Sequence, residues 1–92
     1  MRTMKLAYTV QVWQEDEQFV GHAMPLDVAS CGATAEAARQ AVDEAVKLFL
    51  GTAAEHGTLE QVLEDAGYRH DGGEWQSPAW AGVEQRSVLT AV

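Results

Sequence analysis

The sequence predicts an α+β domain: a three-stranded antiparallel meander with a long helix packed on it, a second short helix and a C-terminal strand, in the order β-β-β-α-α-β. Three observations carry this expectation. Apolar and polar residues alternate from Met4 to about Cys31, interrupted by short polar or proline-containing turns. At Gly32-Ala33-Thr34 the repeat changes from two to about 3.6 residues. After Gly67, short extended pieces return around an Asp71-Gly72-Gly73 turn signal. No internal repeat and no linker divides the 92 residues, so residues 1–92 read as one domain, with a core over 4–66 and an extension over 68–92.

In the first stretch Met4, Leu6, Tyr8, Val10 and Val12 share one face, and Lys5, Ala7, Thr9, Gln11 and Trp13 the other. That pattern predicts a half-buried strand over 4–13. Gln14-Glu15-Asp16-Glu17 is a four-residue polar loop, and Gln18–Met24 follows as the hairpin partner. Gly21 within it weakens the strand, or marks a bulge or a close backbone approach. Pro25 ends the pairing because it has no N–H to donate, and a short third strand follows over Asp27–Cys31.

A helix is expected over Ala35–Glu55. Thr34 is its N-cap, and Glu36 in the first turn suits the positive end of the helix dipole. Ala38, Ala41, Val42, Ala45, Leu48, Phe49 and the methyl of Thr52 recur at three and four and form the expected buried face. Glu36, Arg39, Gln40, Asp43, Glu44 and Lys47 lie opposite. Arg39–Asp43 and Asp43–Lys47 are i,i+4 pairs worth about 0.2–0.5 kcal/mol each. The alanines at 38, 41 and 45 let the helix lie close to the sheet. Gly57 supplies the left-handed stop, with His56 just before it.

Thr58-Leu59-Glu60-Gln61 fits a capping box that opens a second helix reaching Ala66, with Leu59, Val62, Leu63 and Ala66 turned inward and Gly67 closing it. Tyr68–Trp75 reads as two short extended pieces around the Asp71-Gly72-Gly73 turn. Gln76–Gly82, with Pro78 and Trp80, reads as irregular. Val83–Val92, ending in Ser87-Val88-Leu89-Thr90-Ala91-Val92, reads as the last strand.

Fourteen acids against six bases give a formal net charge of −8, shared evenly between the two halves of the chain. Without a basic patch, binding to a phosphate backbone lacks its main electrostatic term, and an anionic membrane repels the protein. The same charge suits either a solvated exterior or attraction to a basic protein partner. The longest apolar run falls far short of the ~18–20 residues that span a bilayer. Met1-Arg2-Thr3-Met4-Lys5 leads into an alternating stretch rather than a signal-peptide core. The single cysteine, Cys31, excludes an intrachain disulfide framework, and the expected compartment is a reducing cytoplasm.

His22, Cys31, His56 and His70 have none of the spacings of zinc sites, so no metal and no cofactor is expected. His22 reads as a strand residue at the sheet surface, His56 as a helix-end residue and His70 as a turn residue. Cys31 reads as a small buried or half-buried filler. The acids Glu15-Asp16-Glu17 and Glu64-Asp65 are neighbours in sequence, and such neighbours point in different directions. They read as solvated groups, and no catalytic residue is assigned. No nucleophile elbow, P-loop or dinucleotide-binding glycine motif is present. Three tryptophans are many for so small a chain, and tryptophan anchors both cores and interfaces. Trp13, on the polar face of the first strand, joins Glu15, Asp16 and Glu17 as the candidate partner-binding set. Trp75, Trp80, Val88, Leu89 and Val92 are the candidate oligomer interface, covering a sheet edge that otherwise invites uncontrolled pairing.

Tyr8-Thr9-Val10, an acidic turn, Phe19-Val20-Gly21-His22-Ala23 and Pro25-Leu26-Asp27-Val28-Ala29-Ser30 closing on Gly32-Ala33-Thr34-Ala35-Glu36-Ala37-Ala38 resemble the HicB-like antitoxin domain. Ala41-Val42-Asp43-Glu44-Ala45-Val46-Lys47-Leu48-Phe49-Leu50 continues the resemblance along the family's long helix. It covers residues 5–50 well and extends loosely through Thr58–Leu63 and the last strand. Cys31 and Ala33 depart from the residues common in the family, while Gly32 and Thr34 keep their roles. The resemblance implies a partial, degenerate RNase H-like fold with no enzyme activity. It also implies neutralisation of a small basic HicA-type mRNA-cleaving toxin by protein–protein contact, as part of a type II toxin–antitoxin system. A homodimer or tetramer goes with that reading. Family members often carry a DNA-binding segment, but residues 68–92 are too short, too acidic and too aromatic for a helix-turn-helix. The alternative is a HicB-fold homo-oligomeric scaffold protein with no toxin and no catalysis.

Overall fold

The computed structural model describes residues 3–92; Met1 and Arg2, with which the expected domain begins, lie outside the described residues. The chain is α+β, with a three-stranded antiparallel sheet, a long helix, a short helix and a C-terminal strand pair. The sheet comprises β1 (Thr9–Glu15), β2 (Gln18–Met24) and β3 (Val28–Gly32), in the spatial order β1-β2-β3.

The first ladder begins at Thr9, not at residue 4. Thr9 pairs with Met24, and Pro25 follows Met24, so residues before Thr9 have no β2 residue opposite them. Residues 4–8 nevertheless keep the expected alternation, with Met4, Leu6 and Tyr8 half-buried against the core and Lys5 and Ala7 exposed. Glu15 pairs with Gln18, which shortens the expected four-residue loop to Asp16-Glu17. Asp16 occupies the left-handed region at φ 53, where aspartate is among the few non-glycine residues at home.

Helix α1 (Ala35–Glu55) lies on one face of this sheet. Its N-cap is Thr34, whose Oγ1 accepts from the Ala37 N–H at 3.0 Å. Gly21 and Gly32 are where it comes closest. A Cβ on Gly21 would stand 2.9 Å from the Ala38 carbonyl oxygen, and one on Gly32 2.7 Å from the Ala38 nitrogen. Gly21 therefore marks a close backbone approach. The buried line of α1 is Ala38, Val42, Val46 and Ala53. Leu48 (72% exposed), Phe49 (39%) and Thr52 were expected on the buried face and lie outside it. A three-stranded sheet is only about two strand spacings, roughly 10 Å, across, so it does not reach Leu48 and Thr52, which lie about 120° and about 80° around the helix from Val42. Phe49, only about 20° from Val42, is not accounted for by that width. The expected i,i+4 pairs are not among the ion pairs of the described residues. Arg39 reaches Glu36 instead (3.4 Å), and Asp43 accepts from the Tyr8 hydroxyl (2.6 Å), a shorter bond to a fixed donor.

Helix α1 ends at His56 and Gly57, the latter at φ 72. Helix α2 (Leu59–Asp65) follows, but the expected capping box does not form. Thr58 sits at φ −110, ψ 6, which is not extended, and its hydroxyl donates back to the Ala53 carbonyl at 3.3 Å. Gln61 donates to Asp65 at 2.8 Å rather than to the cap. Leu63 inserts fully into the core beside Ala23, Leu26, Val42, Val46 and Tyr68.

Strands β4 (Arg69–Asp71) and β5 (Glu74–Gln76) form a separate hairpin, its turn made by Gly72 and Gly73 at φ 60 and 86. His70 is thus a strand residue, stacked on Trp75 with ring centroids 4.7 Å apart. Tyr68 is buried, and its hydroxyl donates to the Ala7 carbonyl at 2.6 Å, tying the hairpin to the run-in before β1.

The strand expected over Val83–Val92 is not formed. Residues 78–92 are exposed, with Val88, Leu89 and Val92 almost fully so. A strand exists only where an edge accepts it, and this segment pairs with none among the described residues. The radius of gyration is accordingly 15.6 Å, against about 12 Å for a compact chain of this length. Among the described residues no helix is long and apolar enough to cross a membrane.

Candidate protein-binding face

Strand register assigns every sheet residue to a side. Gly21, Ala23 and Gly32 lie beneath α1. Their neighbours, at period two, therefore point the other way: Gln11 and Trp13 on β1, Val20 and His22 on β2, Ala29 and Cys31 on β3. Among the described residues no element packs on that outer face. Cross-strand pairing sets Trp13 beside Val20 and Val20 beside Cys31, with Gln11 beside His22 and His22 beside Ala29. The result is an apolar and aromatic surface open to solvent. Cys31, expected to be buried or half-buried, is exposed there, because position 31 falls on the uncovered side of the pleat.

Trp13 is the largest group on this face, 41% exposed. Its ring meets the His22 imidazole edge-on, with centroids 6.3 Å apart and an interplanar angle of 71°. His22 Nε2 lies 2.6 Å from Asp27 Oδ1, which fixes the imidazole that buttresses the indole. Asp27 itself is held at φ 61, its N–H donating to the Ala23 carbonyl at 2.8 Å. A chain of three side chains, Asp27, His22 and Trp13, so presets the tryptophan. A preset aromatic anchor loses less conformational entropy on docking.

The acidic turn stands at one end of this face. Glu15, Asp16, Glu17, Gln18 and Val20 line an open groove of about 770 Å³, and Val20 is the cross-strand neighbour of Trp13. The structure therefore brings all four candidate partner-binding residues into one region. Gln14 Nε2 donates to the Asp16 carbonyl at 3.2 Å and braces the turn. Three carboxylates around a groove next to an aromatic anchor suit a lysine or arginine side chain whose stem packs on an apolar surface. Sequence reasoning did not single out Val20, His22 or Asp27 for this site. Period two alone would have placed Val20 and His22 on the side of the sheet that carries Trp13.

The candidate oligomer residues do not cluster. Trp75 is half-buried and packs against the core, whereas Trp80, Val88, Leu89 and Val92 are exposed. A second groove, of about 750 Å³, separates the run-in from the β4–β5 hairpin, and Lys5, Glu60, His70 and Glu74 contribute both signs of charge to it. Among the described residues no group of three or more His, Cys, Asp or Glu is placed to hold a metal ion. No family model matches this chain, and neither a curated protein nor a solved structure shows significant similarity to it.

Proposed function

We propose that this protein is a HicB-like antitoxin, a binding module without catalysis that occludes a small basic mRNA-cleaving toxin of HicA type in the cytoplasm. The reading includes the finer fold assignment, a partial and degenerate RNase H-like domain, implied by the resemblance over residues 5–50. The observation that carries it is the uncovered outer face of the sheet, with a braced Trp13 beside a groove lined by Glu15, Asp16 and Glu17. A net charge of −8 steers a basic partner toward that face, and the apolar contacts supply the residence time.

Mixing with a HicA-type ribonuclease tests the reading. A stable complex and suppressed RNA cleavage are expected, with association slowing as salt rises. Trp13→Ala should weaken binding by roughly 30-fold or more if the indole is a hot spot. Replacing Glu15, Asp16 and Glu17 by their amides should lower the association rate and flatten its salt dependence. Unchanged cleavage at saturating protein rejects the proposal.

The second reading, a homo-oligomeric scaffold protein without a toxin, is favoured by a different observation: the apolar residues of segment 83–92 are left exposed.

A further inference from the structure

Two features of the structure are left without a partner. The first is the β3 edge and the helix flank above it. At 100° per residue, Ala41, Ala45 and Leu48 lie on one side of the buried line of α1, and Arg39, Asp43 and Leu50 on the other. Asp43 is bonded to Tyr8, which leads into β1, so the polar flank overlies β1 and the apolar flank overlies β3. The helix thus carries apolar surface beyond the last strand, ending in the exposed Leu48 and Phe49. Below it β3 reads Val-Ala-Ser-Cys-Gly, with neither the charge nor the proline that guards natural sheet edges.

The second feature is segment 83–92. Ser87–Val92 has no charged side chain, and Val88, Thr90 and Val92 put three β-branched residues on one face of an extended strand. Val88, Leu89 and Val92 are 84%, 102% and 119% exposed. The segment leaves the body at Pro78, beside Gly67. That exit adjoins the hairpin bound to the run-in of β1, on the far side of the sheet from β3. Residues 77–92 extend over roughly 50 Å at about 3.3 Å each, as long as the 49 Å axis of the molecule, which is ample reach for a neighbour.

We propose that segment 83–92 of one copy adds as a strand to the β3 edge of a second copy, reciprocally, with Val88 and Val92 covering Leu48 and Phe49. The exchange satisfies both features at once, and neither Ser87–Val92 nor β3 brings a charged side chain into the contact. It deepens the self-association reading and is independent of what the outer face binds.

Light scattering on the full chain should give twice 10.0 kDa at micromolar concentration. Leu48→Glu and Val88→Asp should each give the single mass with an unchanged helical spectrum, since both side chains are exposed. Mixing the two variants should restore association through one of the two contacts, the intact segment of the first meeting the intact flank of the second. A monomeric full chain overturns the proposal together with the self-association reading. A dimer that survives truncation after Gly82, or two monomeric variants that stay monomeric when mixed, overturns the exchange and leaves self-association standing.

Discussion

Three glycine-to-alanine substitutions test how α1 is seated, because the same chemical change meets three different surroundings. At Gly51 an added Cβ meets nothing within 4 Å. Alanine there relieves the entropic cost of glycine in a helix and should stabilise by roughly 0.5–1 kcal/mol. At Gly21 the Cβ would lie 2.9 Å from the Ala38 carbonyl oxygen and 3.2 Å from Val42 Cγ1. At Gly32 all three nearest atoms belong to Ala37 and Ala38, at 2.7–2.8 Å. Neither backbone can yield unless the helix lifts from the sheet. Overpacking of this kind costs about 1–3 kcal/mol, offset by about 0.4–1 kcal/mol from the stiffer unfolded chain. A net loss of about 1–2 kcal/mol follows for Gly21→Ala, with Gly32→Ala at the upper end. For a domain this small, that is a fall of roughly 5–15 °C in Tm. Urea titrations of the three variants provide the assay. Stabilisation by Gly21→Ala or Gly32→Ala comparable to that by Gly51→Ala would refute the close seating of α1.

The two threonines that precede helices should differ when changed to alanine. Thr34→Ala loses the bond to the Ala37 N–H and should cost about 1 kcal/mol, while Thr58→Ala, whose hydroxyl makes no N-cap bond, should cost less in the same titration. Tyr68→Phe leaves the Ala7 carbonyl without its partner and should destabilise by about 1–2 kcal/mol, with greater proteolytic sensitivity at the β4–β5 hairpin. Burial raises the phenol pKa of Tyr8 to about 12, the bond to Asp43 adding to the effect. The folded state thus holds the proton more tightly than the unfolded chain, where tyrosine titrates near about 10. The stability this provides is complete below about pH 10 and lost as pH rises toward about 12. Tyr8→Phe should remove that component of the alkaline loss, read by denaturation midpoints across the range.

Local periodicity made the meander and α1 legible. The alternation at Met4, Leu6 and Tyr8, the Thr34 cap and the Gly57, Gly67, Gly72 and Gly73 turns all depend on a few neighbouring residues. What stayed hidden depends on geometry across the chain. Leu48 belongs to the same sequence repeat as Val42, and the width of three strands decides which of them is covered. Asp43 has i,i+4 partners in the sequence, yet Tyr8, 35 residues away, reaches it. Thr58 has the residue pattern of a capping box but not the backbone angle one needs. The candidate face was half legible: Trp13 and the acids stood out as residue types, while the Asp27–His22 brace needed the turn after β2.

The outer face and the β3 edge make separate demands, and the fold keeps them apart. The acidic turn joins β1 to β2, so its charge is concentrated at one end of the sheet. Ser87–Val92 and β3 carry no charged side chain. Repulsion between two copies of charge −8 grows as salt is lowered, whereas attraction to a basic partner strengthens. Self-association through an uncharged edge should therefore tighten modestly as salt rises, under the same conditions in which toxin capture slows. Opposite salt responses of the two equilibria, measured on one preparation, would separate an uncharged self-contact from a charged capture face. Parallel responses would refute the uncharged self-contact, because a self-association that weakens with salt needs opposite charges facing each other across it.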